Sequence, residues 1–351
     1  KRQVATFNSG VKWSAAAFSP DTNKSFVFGG WKSNVYLTDI YRFDGETNGL
    51  TKVSNLPSGR RGATASYDGQ WNITIIGGFN GSVDGYLDDV LSFNVSSYDI
   101  NKIGSYPFKA TGMSSALYNG TIYVFGGFNG SFSDEIVSYN PPTNSFTVEA
   151  ETLPSPRYAT SATLNEETGN ITIIGGWNGT NIDEILEYRS DTDTIGIVAT
   201  LPSGRMGTSA VYYPPTKKIY IFGGLDNESL IYLDQIVEYD PSTRGVGLKY
   251  LSLPSPRAYT AAVYDKLVKK IYIFGGENGD GQINQVLEYM PVNSHIFKVD
   301  PPIPKGNLIV YVRDQFGEPA ENIKVTVGSN QSYTSEWGSV TYYGLETGEY
   351  N

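Results

Sequence analysis

The sequence of 351 residues contains no cysteine and a single histidine, His295. Without cysteine the chain forms no disulfide bond, thiolate nucleophile or zinc site of the Cys/His type, and a Ser-His-Asp triad would have to use His295. This histidine lies outside the repeated motifs of the chain, and we expect it in an exposed loop or at a sheet edge. We therefore predict no catalytic residue, no metal site and no cofactor.

Positive charge and long apolar runs are also scarce. Lysine and arginine number 26 against 36 aspartates and glutamates, which gives a formal net charge of −10, and no basic cluster is longer than a pair. Because a duplex-binding surface needs a basic stripe, we expect no nucleic-acid partner. No apolar run approaches the roughly 20 residues that cross a bilayer, so we expect no membrane span. The sequence lacks an initiating Met and a leader, and we interpret Lys1 as the start of a processed or excised chain.

Glycine and aromatic residues, in contrast, are abundant. The chain has 39 glycines and 18 prolines, with 26 Tyr, 16 Phe and 5 Trp. The aromatic side chains can fill a large core, and the scattered glycines and prolines indicate many short strands joined by tight turns. No segment shows the 3.6-residue periodicity of an amphipathic helix. The sequence therefore predicts an all-β protein.

A glycine pair that ends an apolar run recurs six times, at spacings of 48 to 52 residues. The pairs are Gly29-Gly30, Gly77-Gly78, Gly126-Gly127, Gly175-Gly176, Gly223-Gly224 and Gly275-Gly276. An aromatic residue follows each pair in a further strand, namely Phe43, Phe93, Tyr139, Tyr188, Tyr239 and Tyr289. A period near 50 with four strand-like segments per unit is typical of a propeller blade. We attribute the glycines to crowding at the strand nearest the axis, where a missing Cβ lets backbones approach.

Four units end in a Leu-Pro step, which an arginine and then a strand of small residues follow. These arginines are Arg60, Arg157, Arg205 and Arg257. With the glycine pairs and the downstream aromatics, the pattern resembles the kelch family over residues 1–304. The sequence departs from that family in the fourth strand, where residues such as Phe146 and Ile195 replace the usual tryptophan. The resemblance implies a six-bladed kelch β-propeller.

Two segments are candidates for closing the ring of blades. Val4–Ala16 aligns with Val198–Ala210, so the N-terminus resembles the last strand of a blade and would complete the sixth one. Ser294–Val299 also has the pattern of a fourth strand for that blade. We favour the N-terminal strand, with residues 294–304 as an extra edge or a linker, because closure protects a sheet edge from aggregation.

The proline-rich stretch Pro301–Pro304 predicts a stiff linker, at about residues 300–305, between the propeller and a second domain at 306–351. The second domain resembles the small β-sandwich of carboxypeptidase regulatory domains and bacterial surface adhesins. The matching residues are Val310, Val312, Asp314, Gly317, Pro319, Val325, Gly338, Gly344, Leu345, Gly348 and Tyr350.

Such sandwich modules end with a strand after a Gly-x-Tyr step, whereas this chain stops at Asn351. We expect that the module is truncated and that the natural polypeptide continues, because so short a segment is small for a free-standing sandwich. The alternative is that a partner supplies the last strand by β-augmentation.

The Asn-x-Ser/Thr sequon occurs ten times. The acceptor positions are Asn23, Asn72, Asn80, Asn94, Asn119, Asn129, Asn170, Asn178, Asn227 and Asn330. We predict covalent N-glycans at these positions and an extracellular or cell-surface location. The alternative is that the Asn-Gly pairs are only favourable turns. Glycosylation without disulfides fits an archaeal surface protein better than a eukaryotic secreted one.

In kelch propellers the loop after the glycine pair and the loop before the small-residue strand share one face. By this resemblance that face carries Trp31, Lys32, Phe79, Phe128, Trp177, Leu225, Glu277 and Asp280. The four repeated arginines would enter from the other loop set. Aromatic rings beside arginines are residue types that stack on sugars and anchor protein interfaces. The alternative is that the arginines only hold neighbouring blades together.

Sequons divide this face into two sectors. The sequons at Asn80, Asn129, Asn178 and Asn227 would place glycans on blades 2 to 5, whereas blades 1 and 6 have none in the equivalent loop. We therefore predict that a partner docks near blades 1 and 6. The predicted partner-binding residues are Trp31, Lys32, Glu277, Asp280, Arg60, Arg157, Arg205 and Arg257.

Together these features predict a non-enzymatic, extracellular, glycosylated binding or scaffold protein whose propeller face recognises a protein or a glycan. One alternative is a carbohydrate-active enzyme, which would need a pair of carboxylates at the channel mouth. The copper chemistry of galactose-oxidase-type kelch enzymes would need histidines and a cysteine that this sequence lacks. Another alternative is a structural subunit of a surface filament or surface layer.

Overall fold

The computed structural model describes residues 2–291, 306–311, 324–327, 330–334 and 339–345. Every regular element in these ranges is a β-strand. Over the same ranges, no helix has the length and apolarity needed to cross a membrane. Contacts divide the chain into two units, Lys1–Gly247 with Ser252–Pro291 and Leu248–Leu251 with Val292–Asn351.

Twenty-four of the described strands form six antiparallel, four-stranded sheets, which are the blades. Blade 1 comprises Ala15–Ser19, Lys24–Phe28, Asp39–Asp44 and Gly49–Asn55. Blade 2 comprises Thr64–Tyr67, Asn72–Ile76, Asp89–Asn94 and Ile100–Ser105. Blade 3 comprises Ser114–Tyr118, Thr121–Phe125, Ile136–Asn140 and Ser145–Val148. Blade 4 comprises Ser161–Leu164, Ile171–Ile174, Glu184–Arg189 and Thr194–Thr200. Blade 5 comprises Ser209–Tyr213, Lys218–Phe222, Ile236–Asp240 and Gly245–Leu248. Blade 6 comprises Ala261–Asp265, Lys270–Phe274, Gln285–Tyr289 and Arg2–Thr6.

The first strand of each blade lies nearest the axis. First strands of neighbouring blades contact each other around the whole ring, including blade 6 against blade 1. These strands consist largely of small residues, which lets six sheets converge on a narrow channel. The all-β, six-bladed propeller that the sequence predicts is thereby confirmed.

The N-terminal strand closes the ring. Arg2–Thr6 pairs antiparallel with Gln285–Tyr289, the third strand of blade 6. The next residue, Phe7, is buried and packs edge-on against Tyr41 and Phe274, so its apolar surface holds the strand in place. The preferred closure is confirmed, and the rival segment Ser294–Val299 lies outside the described residues.

The core lies between adjacent blades and not within a single sheet. Phe93 of blade 2, for example, contacts both Phe26 and Phe28 of blade 1 at ring distances of 5.2 and 5.3 Å. The repeated third-strand aromatics fill this space in every blade and are at most 3% exposed. Burying so many aromatic rings between sheets supplies the apolar contribution to stability.

The glycine pairs lie where the second strand ends and the neighbouring blade begins. The first glycine of each pair has φ between +56° and +66° and the second between +103° and +122°, regions that favour glycine. The second glycine donates its N–H to the residue that enters the next blade, at 2.8–3.0 Å. The acceptors, in blade order, are the carbonyls of Arg60, Ala110, Arg157, Arg205, Arg257 and Val11. The crowding is therefore at the junction between blades, and not on the innermost strand as expected from the sequence.

Asp265 is a buried carboxylate at the end of the first strand of blade 6. Its Oδ1 accepts the N–H groups of Leu267 and Val268, whereas Oδ2 has no hydrogen-bond partner among the described residues. Burial raises the pKa of Asp265, an effect that these two hydrogen bonds and the Lys24 ammonium oppose and that Asp44 reinforces. The charged form is therefore costly in the folded state.

We predict that Asp265→Asn raises the melting temperature at neutral pH. Because the folded-state pKa lies above the unfolded value, of about 3.9, the folded state takes up the proton first as the pH falls. The cost of the charge is therefore present above the folded-state pKa and disappears below the unfolded one. Thermal unfolding of both proteins between pH 4 and 8 should show a difference that is largest at neutral pH and shrinks toward pH 4. A difference that is constant over this range would contradict the prediction.

The second unit contains two described strand pairs. Gly306–Tyr311 pairs antiparallel with Ser339–Leu345, and Lys324–Val327 pairs antiparallel with Asn330–Tyr333. The described part of this unit is therefore all-β, as expected, whereas its assignment to a β-sandwich stays a prediction. The linker at 300–305, His295 and the chain end at 346–351 lie outside the described residues.

Candidate binding site at the channel mouth

Two sets of loops meet at one end of the propeller, which we call the loop face. The loops between second and third strands span residues 29–38, 77–88, 126–135, 175–183, 223–235 and 275–284. The connections into the first strands span residues 7–14, 56–63, 106–113, 149–160, 201–208 and 249–260. Antiparallel pairing places both sets at the same sheet ends, and isolated bridges join them in every blade. The shared face implied by the kelch resemblance is therefore present.

A closed ring of backbone hydrogen bonds surrounds the channel at this face. Six equivalent residues adopt the left-handed conformation, with φ between +56° and +68°, and each N–H donates to the carbonyl of the preceding blade at 2.6–3.0 Å. The six residues are Trp13, Gly62, Gly112, Ala159, Gly207 and Tyr259. Beside the ring the channel holds a cavity of about 90 Å³. The ring fixes the positions of the side chains that surround the channel mouth.

Three of these six residues are not glycine, although the conformation costs an L-residue roughly 1–2 kcal/mol. The Trp13 ring stacks on Tyr259 at 4.3 Å between centroids and lies parallel to Tyr158 at 6.0 Å. Stacking of this kind offsets part of the backbone strain. The result is an aromatic cluster at the channel mouth.

A second cavity, of about 230 Å³, opens at this cluster. Its lining residues are Lys12, Trp13, Arg61, Thr111, Tyr158, Tyr232, Tyr259 and Glu277. Lys12 forms an ion pair with Glu277, and its ammonium also lies 4.6 Å from the ring centroid of Trp31. Glu277 accepts a further hydrogen bond from the Tyr232 hydroxyl at 3.1 Å. Burial and the neighbouring Glu277 raise the pKa of Tyr232 to about 12, so this phenol remains a donor at neutral pH.

Arg61 is the second cation of the cavity. Its guanidinium carbon lies 5.4 to 6.0 Å from the ring centroids of Trp13, Tyr36 and Phe79. Cation–π contacts of this kind hold the guanidinium in place without neutralising its charge. A planar cation among aromatic rings can bind an anionic or aromatic group.

The structure brings together some of the predicted partner-binding residues. Trp31 and Glu277 both contact Lys12, and the hairpins of blades 1 and 6 approach each other where Ser33 donates to Gln282 at 3.5 Å. Lys32 and Asp280 lie in these hairpins, outside the cavity lining. The sector of blades 1 and 6, which has no sequon on this face, is therefore continuous with the cavity.

The four repeated arginines are not on the loop face surface. Arg60, Arg157, Arg205 and Arg257 are at most 1% exposed. Each donates to the serine two residues before it, and to Asp89, Glu184, Gln235 or Gln285 at the start of the third strand. The prediction that they bind a partner is therefore corrected: they join the incoming connection to the blade that it enters.

Sequence reasoning missed Lys12, Trp13, Arg61, Tyr158 and Tyr259. A signal was present, because the alignment of Val4–Ala16 with Val198–Ala210 places Trp13 at the ring position of Gly207. A large aromatic residue at a position that suits glycine marks a departure from the repeat.

The sequons lie at both ends of the propeller. Those in loops of the loop face are Asn80, Asn129, Asn178 and Asn227. Those at the opposite end are Asn23, Asn72, Asn94, Asn119 and Asn170. All nine are at least partly exposed, and Asn330 lies in a strand of the second unit. Glycosylation of these residues stays a prediction.

Few carboxylates line the cavity at the channel mouth, where a carbohydrate-active enzyme would need a pair of them. Of the residues that the structure describes, Glu277 is the one carboxylate that lines the larger cavity. Over the described ranges, no group of three or more His, Asp or Glu side chains is arranged to hold a metal ion.

Comparison with known proteins places this fold among propellers. The model of the family "Attractin/LZTR1 beta-propeller" matches residues 73–278. The solved structure of YjhT is similar with a TM-score of 0.69 and 17% sequence identity, over 82% of this chain and 96% of that one. At this identity the likeness shows the fold alone. No curated protein matches the chain in sequence.

The family match includes five of the six glycine pairs and spans more than half of the chain, and it confirms the kelch-type propeller expected from the sequence. The chain therefore belongs to the Attractin/LZTR1 β-propeller family.

Proposed function

We propose that this propeller is a non-catalytic binding or scaffold module that recognises a protein partner through its loop face. The observation that carries the proposal is the combination of an aromatic, charged cavity with exposed aliphatic loop tips on the same face. These tips are Val35 at 55%, Val83 at 104%, Leu230 at 72% and Ile231 at 55% exposure. Exposed apolar side chains around aromatic residues and arginine are the composition of a protein interface.

The enzyme alternative finds less support at this site. Hydrolysis of a glycosidic bond by the usual route needs two carboxyl groups, one on each side of the bond. The cavity supplies Glu277, whose oxygens accept hydrogen bonds from Tyr232 and Gln282 and pair with Lys12. A carboxylate engaged in this way is poorly placed to act as a nucleophile or base, so we favour binding.

We further propose that the protein acts at the cell surface and carries N-glycans. The exposed sequons support this location, since glycans hydrate the turns that carry them. Blades 1 and 6 have no sequon on the loop face, and this sector includes Trp31 and Asp280. We propose it as the docking sector.

Photo-crosslinking tests the proposal. A photoreactive phenylalanine analogue replaces Val35 on the loop face or, as a control, Thr47, which is exposed at the opposite end of the same blade. Intact cells are labelled with a membrane-impermeant biotin reagent, and only biotinylated protein is purified after illumination. We expect a discrete adduct from Val35 and none from Thr47, and we expect Trp31→Ala with Asp280→Ala to reduce its yield.

Three results would contradict the proposal. If the biotin reagent does not label the chain on intact cells, the cell-surface location is contradicted. If the variants at Val35 and Thr47 give the same adducts, recognition through the loop face is contradicted. If the photoreactive analogue gives no adduct at Val35 or, in a further variant, at Val83, a protein partner is contradicted.

A further inference from the structure

The larger cavity carries a net positive charge, although the chain as a whole has a net charge of −10. Among the described residues that line it, Lys12 and Arg61 are the cations and Glu277 is the one anion. Because Glu277 is paired with Lys12, the charge that remains uncompensated belongs to Arg61. An isolated positive charge in a negative protein is a local preference for an anionic ligand.

Arg61 is held in place but its donors are not used. In the described part of the chain, its guanidinium forms no ion pair within 4.0 Å and no side-chain hydrogen bond, while its backbone N–H bonds to the carbonyl of Phe79 at 3.0 Å. The backbone bond and the three aromatic rings fix the side chain near the channel mouth. Arg61 is a lining residue of the cavity, so its N–H groups are available to a ligand there. A fixed guanidinium with free donors is suited to a bidentate bond with a carboxylate.

Two phenol groups add neutral donors to the same cavity. The hydroxyls of Tyr158 and Tyr259 form no hydrogen bond with other described residues, although both side chains line the cavity. Burial raises the pKa of both tyrosines, while the nearby Arg61 partly opposes this shift. Both phenols therefore stay protonated at neutral pH and can donate to an acceptor beside Arg61.

Size and charge narrow the class of ligand. A cavity of about 230 Å³ is smaller than the usual site of a drug-sized ligand, so it suits a single side chain or a small acid. One uncompensated positive charge matches a monoanion, whereas a phosphate dianion would leave excess negative charge. The exposed loop tips Val35, Val83 and Leu230 lie on the same loop face and can pack against apolar surface that carries the anion.

From these observations we propose that the cavity binds a carboxylate through the Arg61 guanidinium, and that an aspartate or glutamate side chain of the protein partner supplies it. The source of the carboxylate rests on the proposed function, whereas the site itself rests on the geometry of Arg61. The aromatic cluster then acts as the floor on which the acidic side chain lies.

The test uses the full chain and the indole N–H signals of its five tryptophans in ¹⁵N NMR spectra. Trp13 is assigned with a Trp13→Phe variant and serves as the reporter. The probes are N-acetylglutamate N-methylamide and its glutamine counterpart, which has the same shape without the charge, and glucuronate with glucose as its neutral counterpart. We expect saturable shifts of Trp13 with the glutamate compound and binding weaker by roughly tenfold or more with the glutamine compound.

Substitutions locate the effect. Arg61→Gln should weaken binding of the glutamate compound by roughly tenfold or more, and Arg61→Lys should recover part of the loss, because a lysine keeps the charge but not the fork of donors. Lys109→Gln makes the same change of charge at an exposed position of the loop face, outside the cavity lining, and should leave binding unchanged. The other four indole signals report whether each variant keeps its fold.

The inference is overturned if neither carboxylate shifts Trp13, if the glutamine compound binds equally well, or if Arg61→Gln has no effect. Binding of glucuronate without binding of the glutamate compound overturns the protein side chain as the source. If Val35 gives an adduct but binding of the glutamate compound does not depend on Arg61, this inference is contradicted and the proposed function is not. Arg61-dependent binding without any surface adduct contradicts the proposed function alone.

Discussion

Gly29→Ala is expected to destabilise the propeller by about 4 kcal/mol or more, which is exceptional for the addition of one methyl group. Gly29 is the first glycine of the blade 1 pair and has φ of +56°. A Cβ there would lie 2.6 Å from the carbonyl oxygen of Arg60 and 3.0 Å from that of Leu37. Both oxygens belong to backbone that is fixed by hydrogen bonds from Gly30 and Arg60, so neither can move away cheaply. Urea or thermal unfolding of the full chain measures the loss.

Two further glycines separate the clash from the backbone conformation. Gly120 has φ of +78° and open space, with no atom within 4 Å of the position that a Cβ would take, so Gly120→Ala should cost only the conformational term, roughly 1–2 kcal/mol. Gly196 has open space and an ordinary φ, and Gly196→Ala should change stability by no more than about 0.5 kcal/mol. If Gly29→Ala were no worse than Gly120→Ala, the tight junction between blades would not be the reason for the glycine.

Arg157→Ala is expected to cost about 3–5 kcal/mol, the range for removing one partner of a buried ion pair. The side chain is 0% exposed and donates to Glu184 at 2.6 Å and to the hydroxyl and carbonyl of Ser155 at 2.7 and 3.0 Å. Its removal leaves the Glu184 carboxylate without its cation and opens a large void. The midpoint of urea unfolding should fall accordingly.

Arg189 provides a matched control in the same blade. It pairs with Glu187 at 3.2 Å but its side chain is 52% exposed, so Arg189→Ala should cost at most about 1 kcal/mol. The two variants make the same chemical change next to a glutamate and differ in burial. Equal losses from Arg157→Ala and Arg189→Ala would show that the repeated arginines do not hold the blades.

The repeat was predictable from the sequence because its signals are local. A glycine pair at a strand end, a downstream aromatic and a Leu-Pro-x-x-Arg connection each occupy one segment of chain, and six copies make the period visible. The N-terminal closing strand was predictable for the same reason, since Val4–Ala16 aligns with the corresponding connection of blade 5.

The role of the repeated arginines was not predictable, because the motif does not say on which side of the loop the side chain lies. An arginine at the position of Arg205 is equally compatible with an exposed side chain that binds a partner and with a buried side chain that joins the loop to its blade. Its burial depends on the loop folding onto Gly223 and Gln235, which follow it by 18 and 30 residues.

The candidate site was hidden from repeat analysis for the opposite reason, namely that it lies where the repeat is broken. In each blade the second glycine of the pair donates to a carbonyl of the connection, and the residue after that acceptor differs from blade to blade. In blade order these residues are Lys12, Arg61, Thr111, Tyr158, Met206 and Ala258. A pattern found by similarity among copies passes over positions at which no two copies agree.

By itself the sequence determined an all-β ring of six blades and the strand that closes it, because backbone conformation, strand pattern and period are properties of neighbouring residues. Only the tertiary structure decided that Lys12 meets Glu277 across 265 residues of sequence, that Trp13 lies on Tyr259, and that four arginines are interior. Closing the ring brings the first and last blades together. The contacts that form only on closure leave no repeated pattern in the sequence.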